Sequence, residues 1–189
     1  MLNRIIQFGS NPTIDYFIKL AISIGLLLGL CPLVIVMKDQ LPITLQSLIV
    51  VFVSIAFGWR IGFPAVLIYL IAGASGLPVF AGYKHGMDSF TGLFGGFFFG
   101  FAVASAICGY LTEIPAFQKT IPAILNWFIG HALILLFGGV WLMRMDPDGW
   151  TKKILDALPG AVIKSLVGAL IIQIIMRLMR KNDKQAFAD

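Results

Sequence analysis

Apolar side chains run almost unbroken through six stretches of this sequence: residues 15–36, 45–57, 62–74, 93–111, 121–143 and 159–178. A bilayer core about 30 Å thick is crossed by roughly 20 such residues in a helix. No backbone polar group can be left unpaired in hydrocarbon, so a chain of this kind must be helical where it crosses. With 59% hydrophobic and 12% charged residues in 189, the composition lies outside that of soluble domains, and the six stretches leave no length for a second, soluble domain. The pattern predicts an all-α membrane protein of six transmembrane helices, a single integral domain over residues 1–189. The second and third stretches are short and are expected to extend into their loops or to line a cavity. The first run lacks a small-residue cleavage site and reads as a span, not as a cleavable signal.

The net charge of +5 reads as topology and not as nucleic-acid binding. Six crossings put Arg4, Lys19, Arg60, Lys119, Arg177, Arg180, Lys181 and Lys184 on one side, and only Lys38, Lys84, Arg144, Lys152 and Lys153 on the other. Lys and Arg accumulate in cytoplasmic loops, so both termini are expected in the cytoplasm, with the chain in the cell membrane. The outer loops (37–44, 75–92 and 144–158) are then the long ones, and polar and aromatic residues converge there. Cys31 and Cys108 lie inside apolar runs with no further Cys or His at ligand spacing, so no metal site is expected.

Lys164 is the most informative residue. If the sixth helix starts at Pro159-Gly160, Lys164 lies just over one turn inside it, beside unpaired N–H groups and the positive end of the dipole. A lysine at that depth is either paired and functional or snorkelling to the outer interface. The functional reading is a site for a carboxylate. The glycine-punctuated segment 73–83 carries Phe80 and Tyr83, which can close over an apolar ligand at the outer mouth. Thr44 is placed to cap the second helix, with Gln46 in its first turn. Phe94 and Phe97 supply further apolar walls, and Asn126 is a candidate polar contact. His131 reads as a hydrogen-bonded residue within the bundle. Ala21, Gly25 and Gly29 stripe the first helix at spacing four, as do Gly92, Gly96 and Gly100 on the fourth; such stripes let helices approach closely, within the chain or against a partner. Gly73-Ala74-Ser75-Gly76 matches the GxSG of intramembrane serine proteases, with His131 as the base, but Ser75 ends a span while His131 lies mid-span. No catalytic residue is assigned. No GxxxxGK[ST] phosphate loop occurs, so coupling to ATP must come from a partner.

Taken in order, PITLQ at 42–46, GWRIG at 58–62, YLIAGASGLPVFAG at 69–82, GGFFFGF at 95–101, WL at 141–142 and LPGAVIK at 158–164 resemble the BioY family. That family comprises the biotin-binding S components of energy-coupling factor (ECF) transporters. The resemblance implies a six-helix S-component bundle with biotin as the transported ligand and no cofactor. It also implies a coupling transmembrane subunit, met through Ala21, Gly25 and Gly29, and two cytoplasmic ATPase subunits. By the resemblance Lys164 matches a lysine assigned to the ligand; the reading of the residues has it hold the carboxylate, with Gln46, Thr44, Phe80, Tyr83, Phe94, Phe97 and Asn126 around the rest. Ala161 stands where the family typically has an aspartate. The missing acceptor must then come from Gln46, Asn126 or Asp156, or the ligand is a more apolar acid such as lipoate.

Overall fold

The structure is a computed structural model. It describes residues 7–8, 11–35 and 43–186, with side chains over 7–8, 11–34 and 44–178. Within these residues the chain forms α1 (Pro12–Leu30), a hairpin of β1 (Val34–Ile35) and β2 (Ile43–Thr44), α2 (Gln46–Phe57) and α3 (Trp59–Ala74). A 3₁₀ turn (Ala81–Tyr83) and the short α4 (Asp88–Thr91) lead to α5 (Gly95–Glu113); a second 3₁₀ turn (Pro115–Gln118) leads to α6 (Thr120–Met145), and α7 is Trp150–Ala186. By length and composition α1, α5, α6 and residues 150–178 of α7 are apolar enough to cross a membrane. α2 and α3, with 12 and 16 residues, span only about 18 and 24 Å at 1.5 Å per residue.

Local chemistry sets the boundaries. Asn11 Oδ1 accepts from the Thr13 N–H at 2.9 Å, and Pro12 occupies the first helical position of α1, where its missing N–H costs nothing. The predicted first span ran to residue 36, but α1 stops at Leu30 because Pro32 cannot donate to continue it, and the chain turns into β1. The predicted outer loop at 37–44 lies, over residues 37–42, outside the described residues. Gly58, at φ 80°, joins α2 to α3 with no intervening loop, a conformation open to glycine and strained for other residues. Apart from Gln46, Ser47 and Ser54, α2 is apolar, and it is buried at 11 of its 12 residues, as a helix enclosed by its neighbours must be. Lys19, counted above toward the charge bias, is buried against its partner Asp15 at 2.5 Å.

Helices α5 and α6 form the tightest pair. A Cβ on Gly96 would lie 2.2 Å from Trp141 Cβ, and one on Gly100 would lie 2.9 Å from Ile134 Cα, so this glycine stripe exists to let two backbones meet. Trp141 Nε1 donates to the Gly92 carbonyl at 2.9 Å and ties the start of α5 to the end of α6. On α1, by contrast, nothing lies within 4 Å of where a Cβ would stand on Gly25 or Gly29, and Ala21, Gly25 and Gly29 are exposed together. The outward faces of α1 and α7 carry Ile14, Phe17, Leu166, Leu170 and Ile174, an apolar surface suited to lipid.

The largest departure from expectation is in α7. It begins at Trp150, nine residues ahead of Pro159, and the predicted outer loop at 144–158 shrinks to a turn at 146–149 closed by the Lys153–Asp146 ion pair. Pro159 is tolerated inside the helix, although it gives no N–H to the Leu155 carbonyl. Lys164 therefore lies about 21 Å along the axis from the helix start, too far for that end's dipole to act, which falls off within the first turn.

Candidate functional site

A cavity of about 1170 Å³ opens where the hairpin, the 75–92 segment and the Pro159 region of α7 meet. Thr44, Gln46 and Ser47 line it from β2 and the first turn of α2, Phe94 and Phe97 from the start of α5, and Asp156, Ala161 and Lys164 from α7. It is large enough for a small molecule, and its wall combines phenylalanines and aliphatic residues with several polar and charged side chains.

Lys164 Nζ donates to Ser47 Oγ at 3.1 Å. Ser47 is the second residue of α2, so the cation stands beside a helix start after all, that of α2 and not that of α7. The first N–H groups of a helix have no partner within it, and the α2 cap residue, Leu45, offers no side-chain acceptor. Thr44 was expected in that capping role; it sits instead on β2, paired with Val34, and reaches the cavity from the hairpin. An ammonium, a hydroxyl and a helix N-terminus together favour an anionic head group.

Gln46 lines the cavity and is also structural: its Nε2 donates to Tyr69 Oη at 2.6 Å, and Tyr69 donates in turn to the Val79 carbonyl at 3.2 Å. This chain ties the start of α2 to the 75–92 segment. Phe80 is the segment's anchor. Its ring is buried against Phe98, Tyr69 and Phe90, with centroids 4.4, 5.6 and 5.8 Å away. Past it the chain reverses through Gly82 and Tyr83, both at positive φ, held by Gly82 N–H to the Pro32 carbonyl at 2.9 Å and Gly86 N–H to the Gly73 carbonyl at 2.7 Å. Tyr83 stays largely exposed at the rim, and Lys84 Nζ lies 5.9 Å from the Phe94 ring centroid, across the mouth.

Asn126 is not brought to the cavity. It is buried, and its Nδ2 donates to the Cys108 carbonyl at 3.0 Å, bracing α6 against α5. His131, read as a residue of the bundle interior, does line the cavity, held by Trp127 and Ser165. Ser75 is exposed and donates to the Ile71 and Ala72 carbonyls, so no bond links it to His131 and the protease reading fails. Sequence reasoning passed over Ser47 and Ser165. Ser47 directly follows Gln46, but nothing in the sequence says which helix faces its hydroxyl.

The profile of the BioY family matches residues 13–181. The chain belongs to the BioY family. Among BioY relatives, it is 34% identical over 159 residues to the biotin transporter BioY of Rhizobium etli, covering 79% of this chain and 85% of that one. It is 31% identical over 156 residues to the biotin transporter BioY2 of Lactococcus lactis, covering 82% and 84%. The crystal structure of the S-component for biotin from an ECF-type ABC transporter superimposes with a TM-score of 0.67 at 23% identity, over 90% of this chain and 95% of that chain. The fold is thus the S-component fold, and this BioY protein is a multi-pass membrane protein.

Proposed function

We propose that this chain is the substrate-binding membrane subunit of a vitamin importer and that its ligand is biotin. It is a transporter component and not an enzyme. The observation that carries the proposal is Lys164 joined to Ser47 beneath phenylalanine walls, a place for a carboxylate under an apolar body. The names of its BioY relatives supply the identity of the ligand. Lys164 takes the carboxylate; Thr44, Phe80, Tyr83, Phe94 and Phe97 enclose the rest, and Gln46 offers a polar contact.

In this reading α1, α2, α3, α5, α6 and α7 all cross the membrane, the short pair enclosed by the others. The cavity faces outward and both termini are cytoplasmic, in line with the Lys and Arg bias. The open face of Ala21, Gly25 and Gly29 is the docking surface for an ECF coupling subunit, which brings two ATPases. Ala161 adds no polar group to the cavity wall, which gives a more apolar acid such as lipoate a place as the second reading. Isothermal titration of the purified protein with biotin and with lipoate tests both. Biotin should bind, and Lys164→Ala should weaken it at least about tenfold through loss of a charge-assisted bond. Heat with lipoate alone would replace biotin as the ligand; equal affinity in the variant would remove Lys164 from the site.

A further inference from the structure

His131 is 3% exposed and lines the cavity one helix away from Lys164. Its Nδ1 lies 3.1 Å from the Trp127 carbonyl oxygen and 3.0 Å from Ser165 Oγ. A carbonyl only accepts, so the contact with Trp127 requires the proton on Nδ1. Ser165 agrees: its single hydroxyl proton goes to the Ala161 carbonyl, its closest acceptor at 2.9 Å, leaving the oxygen free to accept from Nδ1. With Nδ1 protonated, Nε2 of the neutral ring is an acceptor. It is buried and has no partner among the described residues. The other such atom, Asn126 Oδ1, belongs to a residue that does not reach the cavity. An orphaned buried acceptor is costly unless something fills it, and His131 is the one of the two that borders the ligand space.

We propose that His131 is a ligand-binding residue whose Nε2 accepts a hydrogen bond from an N–H group of the bound ligand. The inference rests on the biotin reading above, and in biotin the N–H donors are those of the ureido ring. Ala161, on the facing turn of α7, has no side-chain acceptor to offer such a donor, and the Ser165–Ala161 bond holds the imidazole so that its own acceptor is presented instead. A ligand that meets both Lys164 and His131 is read for both its acid and its N–H group, which an apolar acid without N–H donors would not satisfy.

The test uses the full-length protein in detergent. Glutamine places an amide oxygen near the position of Nε2, whereas asparagine preserves only the Nδ1 side of the ring. His131→Asn should bind biotin about tenfold more weakly, and His131→Gln should stay within about threefold of the parent. In ¹⁵N-histidine-labelled protein the Nε2 resonance should start at the position of an unbonded acceptor and move upfield on adding biotin. The reverse order of the variants, or equal affinity in both, would show a packing role and overturn the proposal. So would an Nε2 that carries the proton, or one already bonded before biotin is added, for example by the Lys164 ammonium. If both variants fail to fold, the resonance decides. Biotin binding without a shift overturns this inference alone; no binding of biotin to the parent protein overturns the biotin reading as well.

Discussion

The Phe80 anchor closes against the Gly73 backbone, and replacement of Gly73 by alanine tests how the 75–92 segment is held. A Cβ there would stand 2.1, 2.3 and 2.6 Å from the Phe80 Cζ, Cε1 and Cε2 atoms. Carbon atoms rest at about 3.5–4.0 Å, so the ring must retreat by about 1.5 Å. Phe98, Tyr69 and Phe90, with ring centroids 4.4, 5.6 and 5.8 Å away, already crowd the ring. Overpacking of a closed core costs about 1–3 kcal/mol. If the ring is expelled instead, the loss is of similar size, about 1.5–3 kcal/mol for a buried phenylalanine. Either way the turn that lines the cavity shifts, because the Gly86 N–H bonds the Gly73 carbonyl and the Val79 carbonyl receives Tyr69. Taking about 2 kcal/mol as the cost of restoring the segment around a ligand, Gly73→Ala should bind biotin about 30-fold more weakly. Calorimetric titration measures this, with gel filtration to show that the variant is folded. Adding Phe80→Leu should recover part of the loss, a non-additivity expected of two groups in contact. Parent-like affinity in Gly73→Ala, or strict additivity in the double variant, would refute the reasoning.

Ser47→Ala removes the hydroxyl that positions Lys164, and biotin affinity should fall about fivefold, for about 1 kcal/mol, in the same titration. Gly100→Leu drives a side chain into the Ile134 backbone; thermal unfolding in detergent should show a loss of at least about 1–3 kcal/mol. Trp141→Phe keeps an aromatic ring but loses the bond to the Gly92 carbonyl and the packing of the five-membered ring, and the melting temperature should fall by at least the equivalent of about 1 kcal/mol. At the α6–α7 turn, the hydrogen bond from Lys153 holds the Asp146 carboxyl below the usual carboxylate range. A lowered folded value means this contribution is present above the unfolded value near ~3.9 and is lost as pH falls through the folded one. Hydrogen exchange at the Gly149 amide, which donates to Asp146 Oδ1, should lose protection on acidification below about pH 4 in the parent and not in Asp146→Asn.

The existence and rough position of the apolar helices were legible because hydrocarbon demands long apolar runs, whatever the tertiary packing. The fourth-helix glycine stripe was legible for the same reason: small residues at spacing four are a local signature, and Gly96 and Gly100 do meet α6. The start of α7 was not legible. Pro159-Gly160 has the look of a helix opening, but the helix already runs through residues 150–158, where Ile154 packs at Gly139 of α6 and Leu155, Asp156 and Ala157 line the cavity. That one error moved the supposed anion-favouring helix end from α2 to α7. Lys164, Gln46, Thr44 and the four aromatic residues do line one cavity, since an ionisable group in an apolar run and aromatics in a glycine-rich segment are unusual enough to stand out. Asn126 carried no mark to distinguish a brace from a contact. Ser47, Ser165 and the orphaned Nε2 of His131 depend on which helix faces which, and that information is in the assembled bundle and not in any short stretch of sequence.

The most direct measurement is a double-mutant cycle between Lys164 and the ligand's acid group. Biotin and its alcohol, in which the carboxyl is reduced to CH₂OH, are titrated into the parent protein and into Lys164→Met. The expected result is a coupling of about 1.5–3 kcal/mol, the value of a hydrogen bond to a charged group, with the methionine variant barely discriminating acid from alcohol. A coupling near zero, with acid preferred over alcohol equally in both proteins, would show that the carboxylate is held elsewhere and contradict the account.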